Sequence, residues 1–178
     1  AYFYQGQFLK ARKFFEDIIK IDPESVVGNS GLLNLFIERD DFAEAMSLYV
    51  RIREMDILKE FPSPLLAKFA GYIISKKADE NGNIRIDYGI ESPRLKDADD
   101  NPFPVAVDVL KALRKRDSEY PPLYLMYAKL SIAQKNYKLA EDYLFKAIEY
   151  SEKNNQKYFG AISMLGDYYY KTKDPVRA

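Results

Sequence analysis

Side chains that carry covalent chemistry are scarce in this chain. Cysteine and histidine are both absent, which removes thiol nucleophiles, disulfides, thiolate and imidazole metal ligands and the commonest general base. There is no glycine-rich phosphate loop, no nucleophile beside a base, and no motif that singles out a pair of hydrolytic carboxylates. Asp79, Asn81, Asn83 and Asp87 have the alternating spacing of a calcium loop, in which every second oxygen points at a hard cation. The pattern then fails, because Ile84 stands where the turn glycine belongs and Ile90 where the bidentate glutamate belongs. Asp97, Asp99 and Asp100 read as a solvated loop. Lys111, Arg114, Lys115 and Arg116, with Tyr120 and Tyr124 nearby, could touch RNA. They close a helix, however, where cations complement the macrodipole, and Asp117 and Glu119 follow at once. The 27 basic and 27 acidic residues cancel, so no global field draws in nucleic acid or an anionic membrane. The expectation is a protein without enzymatic activity, metal or cofactor.

Compartment stays open between cytoplasm and periplasm, since a cysteine-free chain suits both. No leader of basic then apolar residues is seen, and no window reaches the roughly 18 apolar residues of a spanning helix, so direct membrane insertion is not expected. Tyr2 falls in mid-helix and Ala178 where another helix would begin, so the chain is expected to be an excerpt of a longer protein. Richness in Lys, Ile, Phe, Tyr and Asp without Trp or His is the composition of an AT-biased bacterial genome.

The elements follow from an internal repeat. Gln7 to Asp22 reappears as Asp41 to Asp56 at an offset of 34, carrying Phe8, Ala11, Phe15 and Asp22 onto Phe42, Ala45, Tyr49 and Asp56. A period of that length marks stacked helix-turn-helix units, each burying its apolar face against its neighbours. The anchors are Ala11, Ala45, Ala106, Ala140 and Ala178. Around Ala45, one helix is expected from about Glu24 to Arg39 with Asn29, Leu32, Leu33 and Phe36 on one stripe. Asp40 and Asp41 break and recap it, and a second helix from Phe42 to Met55 turns Phe42, Ala45, Met46, Tyr49 and Ile52 inward. Pro23 is the stop between units. Further on, Tyr137, Ala140, Leu144 and Ala147 are in register. The interval from Ala140 to Ala178 is 38, which predicts an extra turn around Ser151 to Lys157.

From Ala45 to Ala106 the interval is 61, leaving 27 residues beyond one period. A helix from Ser63 to Lys77 and a partner from Pro104 bracket an insertion at 78–102, inside the third repeat. Asn81-Gly82 signals a turn, and Ile84, Ile86, Tyr88 and Ile90 alternate at the strand period of two.

These phrases resemble the tetratricopeptide repeat, with its W-x2-L-G-x2-Y, A-x3-F and P pattern. Ala11 to Phe15, Ala45 to Tyr49, Ala106 to Leu110 and Ala140 to Leu144 match its second half, and Ile162, Leu165, Gly166 and Tyr169 its first. The resemblance covers everything except the insertion. It implies an all-α fold: a single α-solenoid domain over 1–178, a right-handed superhelix whose first helices line a concave groove. Wheel positions i, i+4 and i+7 flanking the core stripe give the groove residues. They are Ser30, Asn34 and Ile37; Pro64, Lys68 and Gly71; Leu125, Lys129 and Ile132; and Ser163, Asp167 and Tyr170. The carboxylate clamp of the chaperone-adaptor subfamily fails here, because Ser30, Pro64 and Leu125 occupy the positions where its lysine would recur. The function implied is a protein-protein interaction scaffold holding a partner helix, peptide or subunit in the groove, in a bacterial envelope, secretion or motility assembly. The alternative is an assembly element, with Ile84, Ile86, Tyr88 and Ile90 pairing with another chain or a second copy of this one.

Overall fold

The computed structural model describes residues 7–75, 104–155 and 159–171. Among these residues the protein is all-α. The helices are α1 (Phe8–Ile21), α2 (Val26–Glu38), α3 (Phe42–Glu54), α4 (Ser63–Ser75), α5 (Pro104–Arg116), α6 (Pro121–Ala133), α7 (Tyr137–Lys153) and α8 (Phe159–Lys171), with a short 3-10 turn at Leu58–Glu60. The strand expected through Ile84, Ile86, Tyr88 and Ile90 lies outside the described residues, as does the anchor Ala178.

Helix ends follow from local chemistry. Asp40, Asp56, Lys135 and Asn155 have φ of 57°, 55°, 59° and 52°, each one residue past a helix C-cap. That left-handed residue lets the chain fold back on the last turn. The Asp41 N–H donates to Phe36 O at 2.9 Å and the Asp40 N–H to Ile37 O at 3.1 Å, and the Asn136 and Lys135 N–H groups repeat the pattern onto Ser131 O and Ile132 O at 2.8 and 2.9 Å. The next residue then caps the following helix: Asp41 and Asn136 accept from the Glu44 and Leu139 N–H groups, both at 3.3 Å. Asp40-Asp41 and Lys135-Asn136 are thus the same two-residue reversal.

Entry into α2 and α6 is held by a different tie. The Asn29 amide, fully buried, donates to Pro23 O and Ser25 O, both at 2.9 Å. Tyr124 occupies the same helical position in α6 and its hydroxyl donates to Ser118 O at 2.7 Å, again six residues back. An amide and a phenol satisfy the same loop carbonyl in two repeats.

Successive helices pack against each other in antiparallel pairs. Early residues of one meet late residues of the next: a Cβ on Gly28 would touch Ile19, and one on Gly31 would lie 2.3 Å from Phe15. In the same way Tyr124 and Tyr127 of α6 stack on Tyr150 and Tyr143 of α7, with 5.0 Å between ring centroids in each pair. The anchors Ala11, Ala45, Ala106 and Ala140 are all buried, because a small side chain lets two backbones cross closely. α2 also packs on α4, and α4 on α6. Asn34 meets Lys68 and Ser30 shares a cleft with Pro64, so α2 and α4 run in the same direction. The pair α4 and α5 packs closely although residues 76–103 separate its members in sequence. Between α3 and α5, Asp108 accepts from the Tyr49 hydroxyl and pairs with Arg53 at 2.7 Å.

Tyr137, the first residue of α7, is 46% exposed and stacks on Tyr168. α7 has 17 residues against 13 in α6 and ends at Lys153, within the span where an extra turn is expected around Ser151 to Lys157; residues 156–158 lie outside the described residues.

A β-carbon in the left-handed region costs about 1 kcal/mol that glycine avoids. Replacing Lys135 with glycine is therefore expected to stabilise the protein by roughly that amount, read as a higher urea midpoint at unchanged slope. Asn29→Ala, which leaves Pro23 O without its donor while Ser25 O keeps the backbone N–H of residue 29, should cost about 1 kcal/mol by the same measurement.

Candidate functional site

The parallel neighbours α2 and α4 leave a cleft of about 370 Å³ between them. Of the groove residues read from the sequence, Ser30, Asn34, Pro64 and Lys68 all line it. Their meeting follows from the repeat: residues one period apart stand side by side when equivalent helices stack in the same direction. Val27, Gly31, Pro62 and Leu65 complete the walls, so the cleft is apolar with one amide, one hydroxyl and one ammonium. Val27 is 64% exposed, an aliphatic side chain standing open at the cleft's edge.

The ammonium is already engaged. Lys68 Nζ donates to Asn34 Oδ1 at 2.8 Å and also pairs with Glu38. Glu38 lies one turn beyond Asn34 on the same face of α2, so its i+4 spacing could have drawn attention to it. With its charge matched internally, the cleft suits an uncharged segment better than a carboxylate.

The other groove residues do not join this cleft. Ile37 and Leu125 are buried in the apolar core instead of lining an open face. The reason is that α2 and α6 are flanked by neighbours on more than one side and carry apolar residues around most of their circumference. Gly71 faces Met126 of α6: a Cβ there would meet the Met126 sulfur at 3.0 Å. Lys129 and Ile132 are half-buried on α6, while Ser163 and Asp167 are exposed on α8. The Tyr170 side chain lies outside the described residues, as do the insertion residues Ile84, Ile86, Tyr88 and Ile90.

A second concavity, of about 420 Å³, was not foreseen from the sequence. It opens between α1 and α3 with Leu32 and Phe36 of α2 as its floor. Arg12 bridges it, bonded to Glu16 at 2.8 Å and Glu44 at 3.1 Å, with its guanidinium carbon 5.4 Å from the Phe36 ring centre. The hydrogen bond to Glu16, reinforced by Glu44, raises the Arg12 pKa against the opposing cost of burial.

On α6 the tyrosines set a titration. Burial, then the hydrogen bond with Tyr150, pushes the Tyr124 phenol up to about 12, and burial raises Tyr127 and Tyr72 as well. Among the described residues no cluster of His, Cys, Asp or Glu is placed to hold a metal ion, and no helix is long and apolar enough to cross a membrane.

No protein-family model matches this chain, and no curated protein matches it.

The buried phenols favour the neutral form in the folded state, so their stabilisation is complete below the ordinary tyrosine value of about 10 and is lost as pH rises through the folded values. Thermal unfolding midpoints are expected to fall steadily between pH 10 and about 12, with a shallower fall in Tyr124→Phe, followed by circular dichroism.

Proposed function

We propose that this chain is a non-enzymatic interaction module, a right-handed superhelix of tetratricopeptide-like hairpins that holds a partner helix, peptide or subunit in the groove along α2 and α4. The observation that carries this reading is the cleft in which Ser30, Asn34, Pro64 and Lys68 meet from two helices one period apart. Equivalent helices stacked in one direction supply a continuous face, and such a face fits a segment of another protein better than a small molecule. The exposed Val27 and the pair of prolines offer aliphatic contact, and Asn34 and Ser30 offer hydrogen bonds that fix register. The composition, rich in Lys, Ile, Phe, Tyr and Asp, supports a bacterial source, and the assembly we favour is one of the bacterial envelope, secretion or motility apparatus.

One observation favours a second reading. α4 and α5 pack as a pair although they are distant in sequence, which supports reading 78–102 as an addition to a complete repeat. Additions of this kind carry recognition when the scaffold does not need them. Its Ile84, Ile86, Tyr88 and Ile90 would then be the assembly element.

A photocrosslinking residue at position 27 should capture a protein partner in the source cells, whereas one at Phe145 on α7 should not. With that partner in hand, Lys68→Glu is expected to weaken binding about tenfold, some 1.4 kcal/mol, while a short linker in place of 78–102 leaves the affinity unchanged. The reverse pattern would move the function to the inserted segment, and indifference to both changes would exclude both readings.

A further inference from the structure

We propose that this chain joins to further copies of itself head to tail, α8 of one copy pairing with α1 of the next as the two helices of one hairpin. The α6–α7 pair shows such a hairpin with both members in place. There Tyr124 and Tyr127 on the first helix stack on Tyr150 and Tyr143 on the second, and Tyr124 is only 7% exposed. The two helices run antiparallel, an early residue of α6 meeting a late residue of α7.

α8 is a first helix of this kind. It starts 38 residues after α6 and has the same length, so Phe159, Ile162 and Leu165 stand where Pro121, Tyr124 and Tyr127 stand in α6. Its inner side is docked in the same manner: Ala161 and Tyr169 are buried like Leu123 and Ser131, and α8 packs on α7. The side that α6 turns to α7 is bare, with Phe159 68% and Ile162 52% exposed. α1, in turn, is a second helix. Counted from the anchors Ala11 and Ala140, its Phe14 and Ile21 match Tyr143 and Tyr150 of α7. Ala11 and Ile19 are buried and α1 packs on α2, yet Phe14 is 58% and Ile21 88% exposed. Seven residues apart, these two lie on one stripe of the helix.

Among the described residues the chain thus holds a first helix whose hairpin face is uncovered and a second helix whose hairpin face is uncovered. Laid together in the α6–α7 geometry, Ile162 meets Ile21 and Leu165 meets Phe14, four hydrocarbon side chains where the inner pair has four tyrosines. Stacked helix pairs bury their apolar faces only against neighbours, and large side chains left open in that register mark an interaction surface. A second copy is the occupant because the chain carries both halves of the pair, each at the spacing the other requires. The contact joins two different faces, so every joined copy still offers one α1 and one α8, and growth continues until a ring closes. The cleft between α2 and α4 takes no part, so the proposal is independent of what that cleft holds.

Sedimentation velocity of the chain between about 1 μM and 1 mM, the range of a weak interface, should show dimers and larger species that grow with concentration. Ile21→Lys blocks only the α1 face and Ile162→Lys only the α8 face. Both side chains are exposed, so circular dichroism and the thermal midpoint should stay unchanged. Each variant alone should stay monomeric, its dissociation constant raised about tenfold or more. Mixed in equal amounts, the two should form a one-to-one dimer and nothing larger, because each supplies the face that the other has lost. Phe14→Lys and Phe159→Lys repeat the test elsewhere on the same two faces. A wild-type chain that is monomeric throughout, a variant that associates by itself, or a mixture that fails to pair or grows past the dimer would each overturn the proposal.

Discussion

Close crossing of antiparallel helices at a small residue is the constraint on which the remaining structure rests. Ala11, Ala45, Ala106 and Ala140 are all buried, and Gly28, Gly31 and Gly71 face Ile19, Phe15 and Met126 at distances that leave little or no room for a β-carbon. A larger side chain at these points would hold two backbones apart and, through them, shift every neighbour, since packed interiors transmit displacement. Ala11 and Ala45 are 34 residues apart, as are Ala106 and Ala140, and α2 and α4 run in the same direction. The Asn34 to Lys68 contact joins residues one period apart.

The turns show how little of a repeat has to be conserved in kind. Two-residue reversals built on a left-handed residue and a capping side chain close α2 onto α3 and α6 onto α7. At the opposite ends of α2 and α6, Asn29 and Tyr124 reach back six residues to a carbonyl that the helix cannot satisfy. What matters there is a donor of the right reach, and two unlike side chains provide it.

Charge is used locally throughout. The whole chain is neutral, yet each junction between equivalent helices has its own arrangement: Lys68 with Asn34 and Glu38 between α2 and α4, Arg53 and Tyr49 on Asp108 between α3 and α5, and Arg12 with two glutamates between α1 and α3. The junctions therefore present chemically different side chains.

Helix bounds were close to legible in the residues themselves, because their causes are local: Pro23 and Pro104 mark boundaries, Asp40-Asp41 reverses the chain, and Ala45 sets the phase of the apolar stripe. The pairing of Ser30, Asn34, Pro64 and Lys68 could be read as well, since period alone brings them together. Ile37 and Leu125 could not be placed, because a helical wheel gives an angle and burial depends on how many neighbours a helix has. The cleft over Phe36 was invisible for the same reason: its walls come from three helices, and whether a junction is filled or open depends on which side chains two of them happen to bring face to face. By itself the sequence determined periodicity, helix ends and the absence of thiol and imidazole chemistry, each a property of neighbours along the chain. Which faces closed and which stayed open was decided only by the tertiary structure, because exposure is a property of neighbours in space.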